Sequence, residues 1–359
     1  MAVKKITVLQ GDGIGPEITA QGVLALQAVA KKFGHTFEFT FSDFGGYAID
    51  RHGEPFPTAT RKSCESADAI LLGSVGGPKW EGVPKEVRPE KGLLQMRAAL
   101  GLFANLRPAK LHAQLAHACP LKPEIISQGI DIMIVRELTG GIYFGTHETT
   151  VENGQRVARD VLVYSQQEID RILHVGFEAA KKRGKKLASV EKSNVLDSSR
   201  LWKERAHAIA AEYKDVALSD ILVDNAAMQL VRNPAQFDVI VTENMFGDIL
   251  SDEASQIVGS IGMMPSASLR SDSFGVYEPI HGSAPDIAGK DIANPIGTIL
   301  SAAMLLRYSF DMNKEADAIE SAVESVLNKG LRTSDIMSAG CTKIGCHEMG
   351  RYIAAEIAI

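Results

Sequence analysis

Ile6-Thr7-Val8-Leu9-Gln10-Gly11-Asp12-Gly13-Ile14-Gly15-Pro16-Glu17 passes from a short apolar run, through a glycine-rich turn, to a proline that can open a helix. The run has the unbroken hydrophobicity of a strand buried on both faces. The glycines suit a tight strand-to-helix turn that needs positive φ, and Pro16 suits a first helical turn, where an N–H is not required. Ile18, Gly22, Leu26, Val29 and Phe33 then keep helical spacing, with Gly34 as the expected stop. The turn lacks the G-x-G-x-x-G spacing of the dinucleotide fingerprint, so it does not predict a Rossmann fold. A turn of this kind still lets a ligand come close to the main chain.

Working outward, Ala69–Leu72, Ile130–Val135, Leu187–Val190 and Phe237–Val241 read as further buried strands. Trp202, Ala206, Ile209 and Tyr213 repeat the helical pattern, and Asn294-Pro295 supplies an N-cap and a first turn for a helix through Ile296–Phe310. The alternation predicts an α/β protein, and 359 residues suit two domains. Each strand runs into polar or glycine-rich residues: Gly73-Ser74-Val75-Gly76-Gly77, then Arg136, Lys192 and Asp248 after the later strands. In open α/β sheets ligands bind beyond the carboxyl ends of strands, so a site is expected among these loops.

Composition narrows the classes. With 45% hydrophobic and 23% charged residues the chain is globular, and a formal charge of −6 argues against non-specific nucleic-acid binding, which needs a basic face. Cys64, Cys119, Cys341 and Cys346 are too few and too scattered for a disulfide framework, so free thiols are expected. Cys341, Cys346 and His347 have the look of a metal knuckle, yet no second ligand pair of the structural-zinc kind lies nearby. No apolar run approaches the roughly 20 residues that cross a bilayer. The first expected strand begins too early for a signal peptide, so a cytoplasmic location is expected, with no membrane partner.

Asp248 and Asp252 stand four apart in Asn244-Met245-Phe246-Gly247-Asp248-Ile249-Leu250-Ser251-Asp252-Glu253, which on a helix places both carboxylates on one face. A hard cation such as Mg²⁺ or Mn²⁺ would relieve their repulsion, while acids favoured by a helix start account for the spacing equally well. Arg97, Arg107 and Arg136 would clamp carboxylates if they converged, because guanidinium forks match carboxylates in shape. Sequence separation leaves that convergence open.

Six segments stand in order along the chain: Gly11–Glu17, Leu102-Phe103-Ala104-Asn105-Leu106-Arg107-Pro108, Arg136-Glu137-Leu138-Thr139-Gly140-Gly141-Ile142-Tyr143-Phe144-Gly145, Glu191-Lys192-Ser193-Asn194-Val195-Leu196, Asn244–Asp252, and His281–Lys290 with Ile292-Ala293-Asn294-Pro295. Taken together, they resemble the isocitrate/isopropylmalate family of β-decarboxylating dehydrogenases. The resemblance implies the family's non-Rossmann α/β fold, two domains sharing a twisted mixed sheet. Residues 1–101 and 260–359 would form a discontinuous cofactor domain, and 102–259 a central domain carrying dimer contacts.

It further implies oxidative decarboxylation of 3-isopropylmalate with reduction of NAD, in leucine biosynthesis. Arg97, Arg107 and Arg136 would bind substrate carboxylates. Asp224, Asp248 and Asp252 would hold one Mg²⁺ or Mn²⁺, with Asp224 also near substrate, and K⁺ is left open as a monovalent cofactor. Tyr143 and Lys192 would be the acid–base pair. His281, Gly282, Ser283, Ala284, Pro285, Asp286 and Asn294 would bind the dinucleotide, Asp286 favouring NAD over NADP by accepting from a free ribose hydroxyl. Glu90 would lie near the nicotinamide, and Leu93 and Leu94 would face the isopropyl group. A homodimer is implied in which each site borrows Lys192 and Asp224 from the other subunit. Two alternatives are a relative acting on D-malate or tartrate, and a catalytically idle nucleotide-binding subunit; the second is disfavoured by the presence of every residue assigned to chemistry.

Overall fold

The computed structural model describes residues 3–359. Twelve strands matter to the site: β1 (Val3–Gly11), β2 (Thr36–Ser42), β3 (Ala69–Ser74), β4 (Ala104–Lys110), β5 (Asp131–Glu137), β6 (His147–Glu152), β7 (Gln155–Asp160), β8 (Lys186–Glu191), β9 (Ala217–Leu222), β10 (Val239–Thr242), β11 (Pro265–Leu269) and β12 (Gly275–Pro279). The chain is α/β with mostly parallel strands and falls into two compact units. The first comprises the chain up to Leu102, His112–Pro120 and Val258–Ile359; the second comprises Phe103–Leu111 and Leu121–Ile257.

In the first unit the strand order is β2-β1-β3-β12-β11, parallel except for the β11–β12 hairpin. β3, whose residues Ala69–Ser74 are all buried, is a central strand with partners on both sides. That is why its sequence is an unbroken apolar run. Against the strands lies the helix Gly15–Phe33, begun with Pro16 in its first turn and ended by Gly34 at φ 74°. Its Gly22 allows close packing, since a Cβ there would meet Leu71 and Thr298 at 3.1 Å. The helix Ile296–Tyr308 buries Ile296, Ile299, Leu305 and Leu306 completely and carries no one-sided polar stripe. It is a core helix rather than a surface one.

The second unit orders its strands β4-β5-β10-β8-β9, with β4 antiparallel to β5 and the rest parallel. The helix Gln166–Lys181 starts on a capping box in which Ser165 and Glu168 satisfy each other's backbone N–H groups. Trp202, almost wholly buried, donates its indole N–H to Ser189 Oγ at 3.1 Å, so the polar end of a large apolar side chain is not left unpaired. β6 and β7 form a separate, mostly exposed hairpin.

Register sets what each unit presents. Gly11 is level with Ser74, so the glycine turn and the loop after β3 leave the sheet side by side. Thr242 pairs with Arg136 on one side and Val190 on the other, and Asn105 pairs with Arg136 across β4–β5. Arg107 lies two residues from Asn105 and so points to the same face.

Candidate active site

In the second unit, side chains from three elements meet on one carboxylate. The helix Asn244–Ile257 follows β10 directly and carries Asp248 and Asp252 one turn apart. Arg136, 2% exposed, places Nη1 2.5 Å from Asp248 Oδ1. Arg107, 6% exposed, reaches the same oxygen at 3.4 Å and Asp252 Oδ1 at 3.9 Å, and donates to Ser251 Oγ at 2.6 Å. Tyr143 donates its hydroxyl to Asp248 Oδ2 at 3.1 Å. Arg107 and Arg136 therefore converge, which sequence separation left open. Arg97 lies in the first unit, buried, with Nη2 3.5 Å from Glu278 Oε1 and its Nε unpaired.

A buried guanidinium needs hydrogen bonds for its other protons besides a counter-charge. Arg136 finds further acceptors on Asn244: Nε donates to the Asn244 carbonyl at 2.8 Å, and Nη2 donates to Asn244 Oδ1 at 2.8 Å. Asn244 also donates its backbone N–H to Tyr164 Oη at 2.9 Å and Nδ2 to the Gly140 carbonyl at 3.1 Å. It thus links Arg136 to the loop that carries Tyr143. Arg107 Nε is similarly held by Asn105 Oδ1 at 2.6 Å. Asn244 and Asn105 have no assigned role in the sequence reading; an asparagine at the junction of strand and helix was the available signal.

The electrostatics follow from this packing. Burial raises the Tyr143 phenol above its ordinary value, and the neighbouring Asp248 carboxylate raises it further. The hydroxyl therefore stays protonated at neutral pH. Desolvation raises Asp252; Arg107 opposes this and Asp248 adds to it.

Lys192, just past β8, pairs with Asp224 in the first turn of the helix Val223–Arg232, Nζ to Oδ1 2.5 Å. The lysine's hydrogen bond lowers the Asp224 carboxyl. Among the described residues, Asp224 is not gathered with Asp248 and Asp252 in one chain. The cluster of metal-capable side chains that is gathered, within 4.8 Å, is Glu17, Asp291 and Cys346. There Asp291 accepts the Cys346 and His347 backbone N–H groups at the start of the helix Cys346–Ala358. Cys341 lies beside Ser338 instead, so Cys341, Cys346 and His347 form no knuckle.

In the first unit the segment His281–Asn294 is shaped mainly by main-chain bonds. Ser283, buried, donates Oγ to the Gly76 carbonyl at 2.8 Å, and its own carbonyl accepts Ile14 N–H at 2.8 Å. Ala284 has φ 39°, unusual for a residue with a Cβ. Gly282, Pro285 and Asp286 are exposed. Asn294 Oδ1 accepts Ile296 N–H at 3.0 Å and Nδ2 donates to Asp335 Oδ2 at 2.9 Å, so this side chain caps the following helix. His281 Nδ1 lies 2.9 Å from the Gly282 carbonyl, while Nε2 is buried without a partner. Burial lowers the His281 pKa, leaving the ring neutral. On the helix Pro89–Leu100, Glu90 is exposed and lies against Gly76, Leu93 packs on the core, and Leu94 is half-buried.

In the second unit, carboxylates and guanidiniums gathered at the ends of strands have the chemistry to bind a small acidic molecule. The chain belongs to the isocitrate/isopropylmalate dehydrogenase family, whose sequence pattern matches residues 5–353. It is 60% identical over 356 residues to a 3-isopropylmalate dehydrogenase of Pseudomonas fluorescens, covering 99% of both chains. It is 56% identical over 353 residues to one of Clostridium acetobutylicum, covering 98% of this chain and 99% of that one. Among solved structures, isocitrate dehydrogenase from Methylococcus capsulatus matches with a TM-score of 0.87 at 32% identity, over 99% of this chain and 100% of that one. Among the described residues, no helix is long and apolar enough to cross a membrane.

Proposed function

We propose that this chain oxidises and decarboxylates 3-isopropylmalate with NAD, as a step of leucine biosynthesis. The observation that carries the reading is the meeting of Arg107, Arg136 and Tyr143 on Asp248, in a chain 56–60% identical over nearly its full length to 3-isopropylmalate dehydrogenases.

The residues present fit a divalent cation. Asp248 and Asp252 are hard oxygen donors one helical turn apart, the set that Mg²⁺ or Mn²⁺ takes, and Asp224 would complete it. They also fit a dinucleotide: His281 Nε2 is a buried polar atom awaiting a partner, and Asp286 is an exposed carboxylate suited to a ribose hydroxyl. When bound, the cation would supply a Lewis acid for the C2 oxygen and NAD a hydride acceptor. Arg107, Arg136 and Arg97 would hold the carboxylates. Lys192 would take the proton of the C2 hydroxyl as C2 is oxidised, and Tyr143, kept protonated by its surroundings, would deliver one to C3 after carbon dioxide leaves.

Lys192 pairs with Asp224, and among the described residues Asp224 is not gathered within 4.8 Å of Asp248 and Asp252. This supports a homodimer in which each subunit lends the pair to its partner's site, with K⁺ as a further ion to be tested. The cytoplasm is the compartment proposed for it; among the described residues no helix is long and apolar enough to cross a membrane.

The decisive assay is NADH formation from 3-isopropylmalate, D-malate, tartrate and isocitrate in parallel, with NADP as a second arm. The highest kcat/KM is expected for 3-isopropylmalate with NAD. A preference for D-malate or tartrate would move the assignment within the family, and equal use of NADP would remove the role given to Asp286.

A further inference from the structure

Asp12 is a buried carboxylate, 3% exposed, that the chemistry above does not use. Its oxygens accept three main-chain N–H groups: Oδ2 from Gly46 and Gly76, both at 2.8 Å, and Oδ1 from Tyr47 at 2.7 Å. Its own backbone is tied to β3, N–H to the Ser74 carbonyl at 2.7 Å and carbonyl from Ser74 Oγ at 2.9 Å. One side chain therefore fastens together the loops that follow β1, β2 and β3. A carboxylate is acceptor-only, so it can satisfy several amides at once where no uncharged side chain of that size can.

The fastened loops are the ones that grip the candidate cofactor segment. Gly76, held by Asp12 through its N–H, accepts Ser283 Oγ with its carbonyl. Ile14, two residues beyond Asp12, donates to the Ser283 carbonyl, and the backbones are so close that a Cβ on Gly13 would stand 2.0 Å from that oxygen. Glu90 leans on the same glycine, for a Cβ on Gly76 would be 2.7 Å from its Oε1. Ser283 is thus held from two sides, and both holds lead back to one residue.

We propose that Asp12 is a positioning residue for the dinucleotide: by pinning Gly76 and the Gly11–Gly15 turn it sets Ser283, and the loop it begins, in the place that receives the cofactor. Asp12 acts through these loops and touches neither cofactor nor reacting atoms. The inference rests on the NAD-dependent reading given above.

The full-length enzyme tests it in three variants. Asp12→Asn keeps the shape but puts an NH₂ against either the Tyr47 N–H or the Gly46 and Gly76 N–H groups, and Asp12→Ala removes all three acceptors. Tyr277→Phe removes the buried Tyr277–Ser309 hydrogen bond of 2.7 Å in the same unit and controls for general loss of stability. The readouts are Tm, kcat, the KM values for NAD and 3-isopropylmalate, and NADH binding by fluorescence. The KM for NAD should rise roughly tenfold in Asp12→Asn and further in Asp12→Ala, as expected when buried donors lose acceptors. The KM for 3-isopropylmalate should stay within about twofold, and Tyr277→Phe should leave the KM for NAD unchanged even where its Tm falls as far.

An unchanged NAD KM in Asp12→Asn, or an equal rise in Tyr277→Phe, overturns the proposal. If the Asp12 variants do not fold, Ser74→Ala, which cuts the Ser74 Oγ bond to the Asp12 carbonyl, should raise the KM for NAD about threefold; no change there overturns it equally. A wild-type protein that binds no NADH refutes the cofactor reading and this inference with it. A wild type that binds NADH while Asp12→Asn matches it refutes only the role of Asp12.

Discussion

The two units hold their candidate functional residues by different means. In the first, main-chain groups do most of the holding: Ser283 through Gly76 and Ile14, Asn294 as a helix cap, and Asp12 through three amides. In the second, ionised side chains hold one another: Arg136 and Arg107 on Asp248, Lys192 on Asp224. A main-chain cradle tolerates side-chain change where only the backbone matters. A cluster of paired charges does not, because removing one partner leaves another buried and unpaired. Substitutions among the paired charges of the second unit should therefore fall on the acid substrate and on turnover, and those in the main-chain cradle of the first on the dinucleotide.

The largest effect is expected at Lys192. Lys192→Met should lower kcat by roughly 10³-fold or more, at the upper end for loss of a general base, with little change in NADH binding. A variant that keeps a tenth of wild-type turnover would remove Lys192 from the proton transfer. Next comes Asn244→Ala, which strips acceptors from the Arg136 Nε and Nη2 groups. Hydrogen bonds to a charged group contribute about 1.5–3 kcal/mol, so kcat/KM for the acid should fall roughly 10- to 100-fold while the KM for NAD holds. A matching rise in both KM values would mean that Asn244 serves stability alone.

A smaller effect concerns pH in the first unit. Burial lowers the His281 pKa, so the charged ring forms only as pH falls through a value below the ordinary one. The KM for NAD should be flat from about pH 8 to pH 6.5 and rise only on more acidic buffers. A rise centred near the ordinary histidine value would show His281 to be solvated. The smallest effect is at the substrate's alkyl group. Leu93 packs on the core, and Leu94 beside it is half-buried. Leu94→Ala should reduce the kcat/KM ratio of 3-isopropylmalate over D-malate by severalfold, about what one or two buried methylene groups contribute. A lower Tm at an unchanged ratio would make Leu94 a core residue.

How much could be read without coordinates differs along the chain for physical reasons. β1, β3, β5, β8 and β10 are parallel strands covered by neighbours, and their apolar runs are plain in the sequence. β2 is an edge strand of alternating exposure, β4 contains Asn105, Arg107 and Pro108, and β11 contains Ser266 and Ser268, so none presents a hydrophobic run. The one-turn spacing of Asp248 and Asp252 was legible because helical geometry is local. The meeting of Arg107 and Arg136 was not, because it depends on strand register between residues far apart in sequence. Asp12 is hidden for the same reason, since its partners Gly46, Tyr47 and Gly76 lie on loops far from it in sequence.

A second copy of the chain is proposed to complete the Arg107, Arg136 and Asp248 cluster with its Lys192 and Asp224. Tyr143→Phe and Lys192→Met subunits, co-expressed with separate affinity tags so that mixed dimers can be isolated, test it most directly. Each mixed dimer should contain one site with both an intact Tyr143 and an intact Lys192, and should turn over 3-isopropylmalate at about half the wild-type rate, the share expected of one working site in a two-fold dimer. Activity no greater than the mean of the two single-variant proteins would show that Lys192 serves the chain that carries it, and would rule out the shared site.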